Sequence, residues 1–249
     1  MSWIKSIFNN MRIGRRLTII FSFILYMGVV VGLLALYQMN KMNDISTEIS
    51  SDWMPSATIA QELHNHILEL RVAELNHIIA QTPSERSNAE KEIQKALDLI
   101  QKNRTHYETL ISTVEEQTLY DNFSKEFERY TVIHNQMIPL SRDLKTKEAM
   151  DLMNGESLAL FNQSSQECNK LVELNVKGGN DAAARGNDLY HTSFAWTLVL
   201  TVMMIFSAIT TGIILIRSIT FSLAQTQTGL LSFFRFLNRE STKAELIDL

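Results

Sequence analysis

The chain has 249 residues, of which 45% are hydrophobic and 20% charged, with a formal net charge of −4. That balance argues against a basic nucleic-acid surface. A single cysteine, Cys168, leaves no intrachain disulfide, so any soluble portion must be held by packing alone.

Two apolar runs free of charge set the layout. Leu17–Tyr37 follows a basic start of Lys5, Arg12, Arg15 and Arg16. The run is longer than the ~7–15 apolar residues of a signal peptide, so it reads as an uncleaved span. Phe194–Ile216 is the second run and is closed by Arg217. Each is long enough to cross a hydrocarbon core of ~30 Å as a helix. Basic residues crowd the outer ends of both runs, which places residues 1–16 and 217–249 in the cytoplasm and 38–193 outside it. In a two-membrane bacterium that is a multi-pass inner-membrane protein with a periplasmic domain. Residues 38–193 hold 15 Lys/Arg against 24 Asp/Glu, while the two ends hold 8 against 3, as expected for ends facing anionic lipid.

Between the spans the pattern is helical throughout. Pro55 is expected to kink or restart the first helix, since proline removes one backbone hydrogen bond. From Ser56 to Ala80 one apolar stripe (Ile59, Leu63, Ile67, Leu70, Ile78) suits a bundle core. A neighbouring stripe (Leu68, Leu75, Ile79, with Arg71 spaced into it) suits the same helix of a second copy. Thr82-Pro83-Ser84-Glu85 is a capping box with proline at the first helical position, so a second helix starts there. Its seam is Ile93, Leu97, Ile100, Tyr107 and Ile111, and it is expected to end near Ser112. Thr113-Val114-Glu115-Glu116 repeats the cap and opens a third helix carrying Leu119, Phe123, Phe127, Tyr130 and Ile133. That helix passes Pro139 and ends near Leu144. Thr146 is expected to cap a fourth helix running unbroken toward the second span, with Leu158, Phe161, Ser165, Cys168, Val172 and Asn175 as its seam. Short loops make successive helices antiparallel. The expected fold is all-α: an up-down-up-down four-helix bundle on two transmembrane helices. Gly178-Gly179 reads either as a compliant joint before the membrane or as a local break, at about 1 kcal/mol per glycine relative to alanine.

These features resemble the amino-terminal part of methyl-accepting chemotaxis receptors with a four-helix-bundle ligand-binding domain. The likeness covers about residues 1–217. It rests on Arg15-Arg16 before the first span, Pro55 after it, and Leu70-Arg71-Val72-Ala73-Glu74-Leu75 in the first helix. Tyr107-Glu108 and Leu119-Tyr120-Asp121-Asn122-Phe123 carry it further, as do Glu148-Ala149-Met150-Asp151-Leu152 and Leu171-Val172-Glu173-Leu174-Asn175. After the second span, Arg217-Ser218-Ile219-Thr220-Phe221-Ser222 departs from the Arg-x-Ile-x-x-Pro opening of a HAMP domain. Gly229-Leu230-Leu231-Ser232-Phe233-Phe234 is similar to a juxtamembrane segment that some chemoreceptors carry instead. The family's methylated cytoplasmic hairpin would lie beyond Leu249, so the chain is either a fragment or works through another chain.

The resemblance implies a homodimer through the first helix and a small-molecule ligand or periplasmic binding protein as stimulus. It also implies membrane lipid around the spans, and a cytoplasmic kinase and coupling protein reached through the signalling hairpin. It makes Arg71 the candidate for a ligand carboxylate, since guanidinium donates in a planar fork; a salt bridge to Glu74 or Glu69 is the competing reading. Asn154, Ser157 and Asn162 are weaker polar candidates, and Gly178, Gly179, Arg217 and Gly229 are candidates for signal transmission. No catalytic constellation, phosphate loop or cofactor motif occurs. All six histidines lie in the outer domain, and His66 and His77 stand three turns apart, too far to share a metal unaided. The sequence thus points to a sensory module. A membrane anchor that only dimerises, or the input half of a sensor kinase, is the alternative; an enzyme is not expected.

Overall fold

The computed structural model describes residues 13–239, and within them the regular structure is helical. The elements are α1 (Ile13–Glu48), a π-helical turn (Ile49–Trp53), α2 (Met54–Ile79), α3 (Pro83–Glu108), α4 (Val114–Arg142), α5 (Thr146–Asn154) and α6 (Glu156–Leu237). The fold is a four-helix bundle joined to two helices long and apolar enough to cross a bilayer. Residues 42–188 form one compact unit, and residues 13–41 with residues 189–239 form another. Lys5 and Arg12 of the basic start, and Lys243 among the basic residues after the second run, lie outside the described residues.

In the bundle the apolar periodicity translates directly into burial. Leu63, Ile67 and Leu70 of α2, Ile93 and Ile100 of α3, Phe123, Phe127 and Tyr130 of α4, and Leu160, Cys168 and Leu171 of α6 form one core. Tyr107, Tyr120, Phe123, Phe127, Tyr130 and Phe161 make a ladder of rings with successive centroids 5.4–6.4 Å apart. Cys168 is one of the buried core residues, and its thiol faces the Ala60 carbonyl at 3.3 Å. Burial pushes that thiol up to about 12, so it is an unreactive packing group.

The first cap behaves as the sequence implies. Glu85 N donates to Thr82 Oγ1, and the Glu85 carboxylate accepts from the Thr82 and Gln81 backbone amides, which hold it below its ordinary pKa. The second is half of the expected box. Glu116 N donates to Thr113 Oγ1, but the Glu116 carboxylate accepts from Ser112 N. Its other oxygen is turned inward to the Tyr107 hydroxyl at 2.7 Å. The competing buried donor pulls the side chain away from its own cap.

Four expectations change. Helix α3 ends at Glu108 rather than near Ser112, because the chain tightens there: Thr109 and Leu110 N–H groups bond His106 and Tyr107 carbonyls. The helix expected from Thr146 onward is two helices, interrupted at Gly155 (φ −95°, ψ −110°), and no side chain caps its start. A Cβ at Gly155 would stand 2.8 Å from the Asp151 carbonyl oxygen, so glycine is required there. The buried line of α6 is Ser157, Leu160, Ser164, Cys168, Leu171 and Asn175: Cys168 and Asn175 stand where the seam put them, the other four fall one position before Leu158, Phe161, Ser165 and Val172, and Leu158 is exposed. Small serines reach that line because their hydroxyls find partners there: Ser164 donates to the Leu160 carbonyl of its own helix, and Ser157 accepts from Arg71 across the bundle.

The last change concerns Gly178-Gly179. Helix α6 is not broken there. Gly178 lies under the Trp53 indole, where an added Cβ would fall 2.4 Å from ring carbons. Gly178, the fully buried Ala182 and Gly186 recur every fourth residue, and Gly186 sits against Ile45. Gly178 leaves room for the Trp53 ring, and Gly186 for the Ile45 side chain. Trp53 belongs to the π-helical turn just before Pro55, which occupies the first turn of α2. The extra residue of the turn absorbs the proline without ending the helix.

Candidate functional site

Arg71 is half-buried on α2, and it points away from the exposed stripe to which the sequence assigned it. Its guanidinium donates to Ser157 Oγ at 2.8 Å and to the Met153 carbonyl at 2.6 Å, and it stacks over the Phe161 ring at 5.0 Å. It also faces the Tyr130 hydroxyl. Met153 lies in the last turn of α5, where backbone carbonyls lack partners within the helix. The break at Gly155 thus creates the acceptor, and Arg71 caps it from across the bundle. The salt bridge to Glu74 or Glu69 does not form; Glu69 pairs with His66 at 2.9 Å instead.

Glu74, one turn along α2, is fully buried. It accepts from the Tyr130 hydroxyl through a very short bond and pairs with His134 Nδ1 at 2.5 Å. Burial, then the Glu74 charge, raises the Tyr130 phenol far above its ordinary pKa and keeps it a donor. Beside this cluster His77 is buried, its Nδ1 2.8 Å from Ser141 Oγ and its Nε2 3.3 Å from Glu90. Burial lowers the His77 pKa, with Glu90 opposing. Glu90 is itself held low, first by its bond from Arg142 at 2.6 Å.

At the opposite end of the bundle, Asn175 Nδ2 donates to the Tyr107 hydroxyl at 2.9 Å and to Glu116 at 3.2 Å, all three groups being buried. Two buried carboxylates, Glu74 and Glu116, therefore stand at the two ends of the ring ladder. Between π turn and α6, Glu48 accepts from Trp53 Nε1 at 2.9 Å and from Arg185 at 2.7 Å, and these two bonds lower its pKa.

The structure brings Arg71 and Ser157 together and leaves Asn154 and Asn162 on the surface. Arg217 and Gly229 both lie within α6. Sequence reading missed Met153, Phe161 as a guanidinium platform, and the Glu74–His134–Tyr130 cluster. Asn154-Gly155, a common helix-stop dipeptide, was the available signal for the break.

On the outer side of α2, Leu68 (41% exposed), Val72 (58%), Leu75 (38%) and Ile79 (52%) form an apolar ridge. It borders an open groove of about 870 Å³ between α2 and α3, floored by Ala73, Ala89 and Ala96 and edged by Glu69, Glu92 and Lys95.

Residues 10–190 match the family model described as a four helix bundle sensory module for signal transduction. The chain belongs to this family. Among curated proteins, the sensory module is similar to one from Bacillus subtilis (strain 168) named "Putative sensory transducer protein YvaQ", at 23% identity over 210 residues. The match covers 84% of this chain and 37% of the relative, so the chain spans little more than a third of that protein's length.

Proposed function

We propose that this sensory module is a transmembrane chemoreceptor input. It detects a small ligand or a ligand-loaded binding protein in the periplasm and passes a helix displacement to the cytoplasm for chemotaxis signalling. The observation that carries it is the Arg71 contact: a cationic side chain of α2, held by neutral acceptors, that ties α2 to the break between α5 and α6. A carboxylate competing for the guanidinium would release the Met153 carbonyl and Ser157, and α6 would shift by an ångström or two. Ser157 and Ile216 belong to one unbroken helix, so the displacement has a covalent route through the second span. The module transmits and does not catalyse.

The apolar ridge supports a homodimer through α2, because an exposed heptad-spaced row buries well against its own copy. In this reading both termini are cytoplasmic, the membrane is the inner one, and cytoplasmic kinase and coupling proteins receive the signal.

Isothermal titration of the full chain in nanodiscs against small carboxylates tests this, with Arg71→Lys alongside. Binding by the parent that Arg71→Lys weakens at least tenfold supports the reading. Absence of binding by any carboxylate or periplasmic binding protein, at monomer and dimer concentrations alike, refutes direct sensing and leaves the dimerising anchor.

A further inference from the structure

After Arg217 the helix α6 continues to Leu237, and its last turns are unlike an ordinary exposed helix. Leu230, Leu231, Phe233, Phe234, Phe236 and Leu237 are each 45–57% exposed. At about 100° per residue these six span an arc of roughly 220°, and the remaining sector holds Ser232 and Arg235. Residues 217–239 contain Arg217, Arg235 and Arg239 and no acidic residue. Just before this segment the helix carries residues that favour bending. Thr226 and Thr228 hydroxyls bond the Ser222 and Ala224 carbonyls at 2.9 Å, an arrangement that bends helices, and Gly229 follows.

We propose that Gly229–Leu237 is an interfacial helix that docks on an anionic lipid leaflet next to the second span, pivoting at Thr226–Gly229. Three observations select lipid over a second copy of the chain. A two-stranded seam needs a narrow a/d stripe, and this apolar arc is more than twice that width. Parallel copies would bring Arg235 against Arg235, with no acid among residues 217–239 to compensate. A wide apolar arc with a basic polar sector is the composition that lies in a bilayer interface. The segment is also covalently tethered to a helix long and apolar enough to be in that bilayer. Docking would hold the end of α6 parallel to the membrane and undocking would free it, giving the sensory module an output whose resting position depends on lipid charge. The proposal rests on the membrane reading above.

The test is site-directed fluorescence on the full chain in vesicles of phosphatidylcholine with and without phosphatidylglycerol. An environment-sensitive dye is attached at Phe234→Cys, Ser232→Cys or, as a control within the span, Val202→Cys. The buried native Cys168 does not compete for the dye. The expected result is a blue-shifted signal at 234, quenched by shallow nitroxide lipids, with 232 remaining accessible to aqueous quencher, and only in anionic vesicles. Charge reversal by Arg235→Glu should lower the docked-to-free ratio about 30-fold, from roughly fivefold per unit charge near the surface. Quenching at 202 but none at 234 overturns the docking alone. No quenching at 202 overturns the membrane reading and docking with it. A signal at 234 that rises with protein density and ignores lipid charge assigns the face to a second copy and overturns the proposal.

Discussion

Two adjacent glycines of α6 should respond to the same substitution with opposite signs. An alanine Cβ at position 178 would lie 2.4 Å from Trp53 Cε3 and Cζ3, and at position 179 it would lie 3.5 Å from Trp53 Cβ, an ordinary contact. In an exposed helix either change gains about 0.5–1 kcal/mol of propensity. At 179 that gain stands, so Gly179→Ala stabilises by about 0.5–1 kcal/mol. At 178 the indole must move. It is held by its Nε1 bond to Glu48, which is also held by Arg185, so retreat costs contacts as well as strain. Overpacking costs about 1–3 kcal/mol, which outweighs the propensity gain and leaves Gly178→Ala destabilised by about 1–2 kcal/mol. Thermal unfolding of the full chain in detergent, followed by circular dichroism, reads the difference. For a unit of this size each kcal/mol is about 2–4 °C, so the two variants should separate by roughly 3–12 °C on opposite sides of the parent. Trp53→Ala supplies the decisive background: there Gly178→Ala should become neutral or stabilising. If Gly178→Ala stabilises the parent, or if removing the indole does not rescue it, the close-packing account of these glycines is wrong.

Other substitutions test the polar core. Gly155→Ala should cost about 1–3 kcal/mol, because its Cβ meets a backbone oxygen that cannot rotate away, and hydrogen exchange should show the loss concentrated in α5. Tyr130→Phe deprives the fully buried Glu74 of one donor and should cost about 1–3 kcal/mol in denaturant unfolding; a loss below about 0.5 kcal/mol would mean Glu74 is satisfied otherwise. His77 sets a pH dependence. Its folded pKa lies below the ordinary 6.5, so the folded state takes up its proton later than the unfolded state as pH falls. The stability it contributes is fully present above about pH 6.5 and is lost as pH falls through the depressed value, with a slope of at most ~1.4 kcal/mol per pH unit. His64, also lowered by burial, adds to the same slope, so His77→Gln should reduce it without abolishing it. Val72→Glu should leave the bundle folded and dissociate a dimer built on the α2 ridge, as read by sedimentation equilibrium.

The architecture was legible because apolar periodicity and capping are local. The Thr82–Glu85 box and the Leu63–Ile67–Leu70 stripe need only neighbours along the chain to be read, and both stand where they were placed. What escaped was set by partners distant in sequence. The position of Arg71 on the helical wheel is compatible with either face of α2, and only Met153, Ser157 and Phe161, more than eighty residues away, decide it. Cys168 and Asn175 of α6 are buried as read, but the other four seam positions lie one residue earlier than expected, because counting rewards Leu158 over Ser157, although a short hydroxyl with a partner at hand buries cheaply. Gly178, Ala182 and Gly186 did announce themselves, at spacing four. Read as a propensity defect, the two glycines suggested a weak point; read as a row of small residues, they indicate close approach.

The buried polar groups also limit what kind of motion α6 can transmit. Asn175 bonds Tyr107 and Glu116 at one end of the bundle, Ser157 accepts from Arg71 at the other, and Cys168 meets the Ala60 carbonyl between them. A slide by one helical turn of ~5.4 Å would break all three sets at once. Each buried group left unpaired costs about 1–3 kcal/mol, so a one-turn slide would cost roughly 3–9 kcal/mol. That is comparable with the whole stability of a typical domain, about 5–15 kcal/mol. A displacement of an ångström or so stretches these bonds without breaking them. Any signal carried by α6 must therefore be a small axial or tilting shift, and cysteine pairs placed between α2 and α6 should cross-link in one register only, with and without stimulus. Efficient cross-linking of pairs one full turn apart would show that the polar contacts do not fix the register.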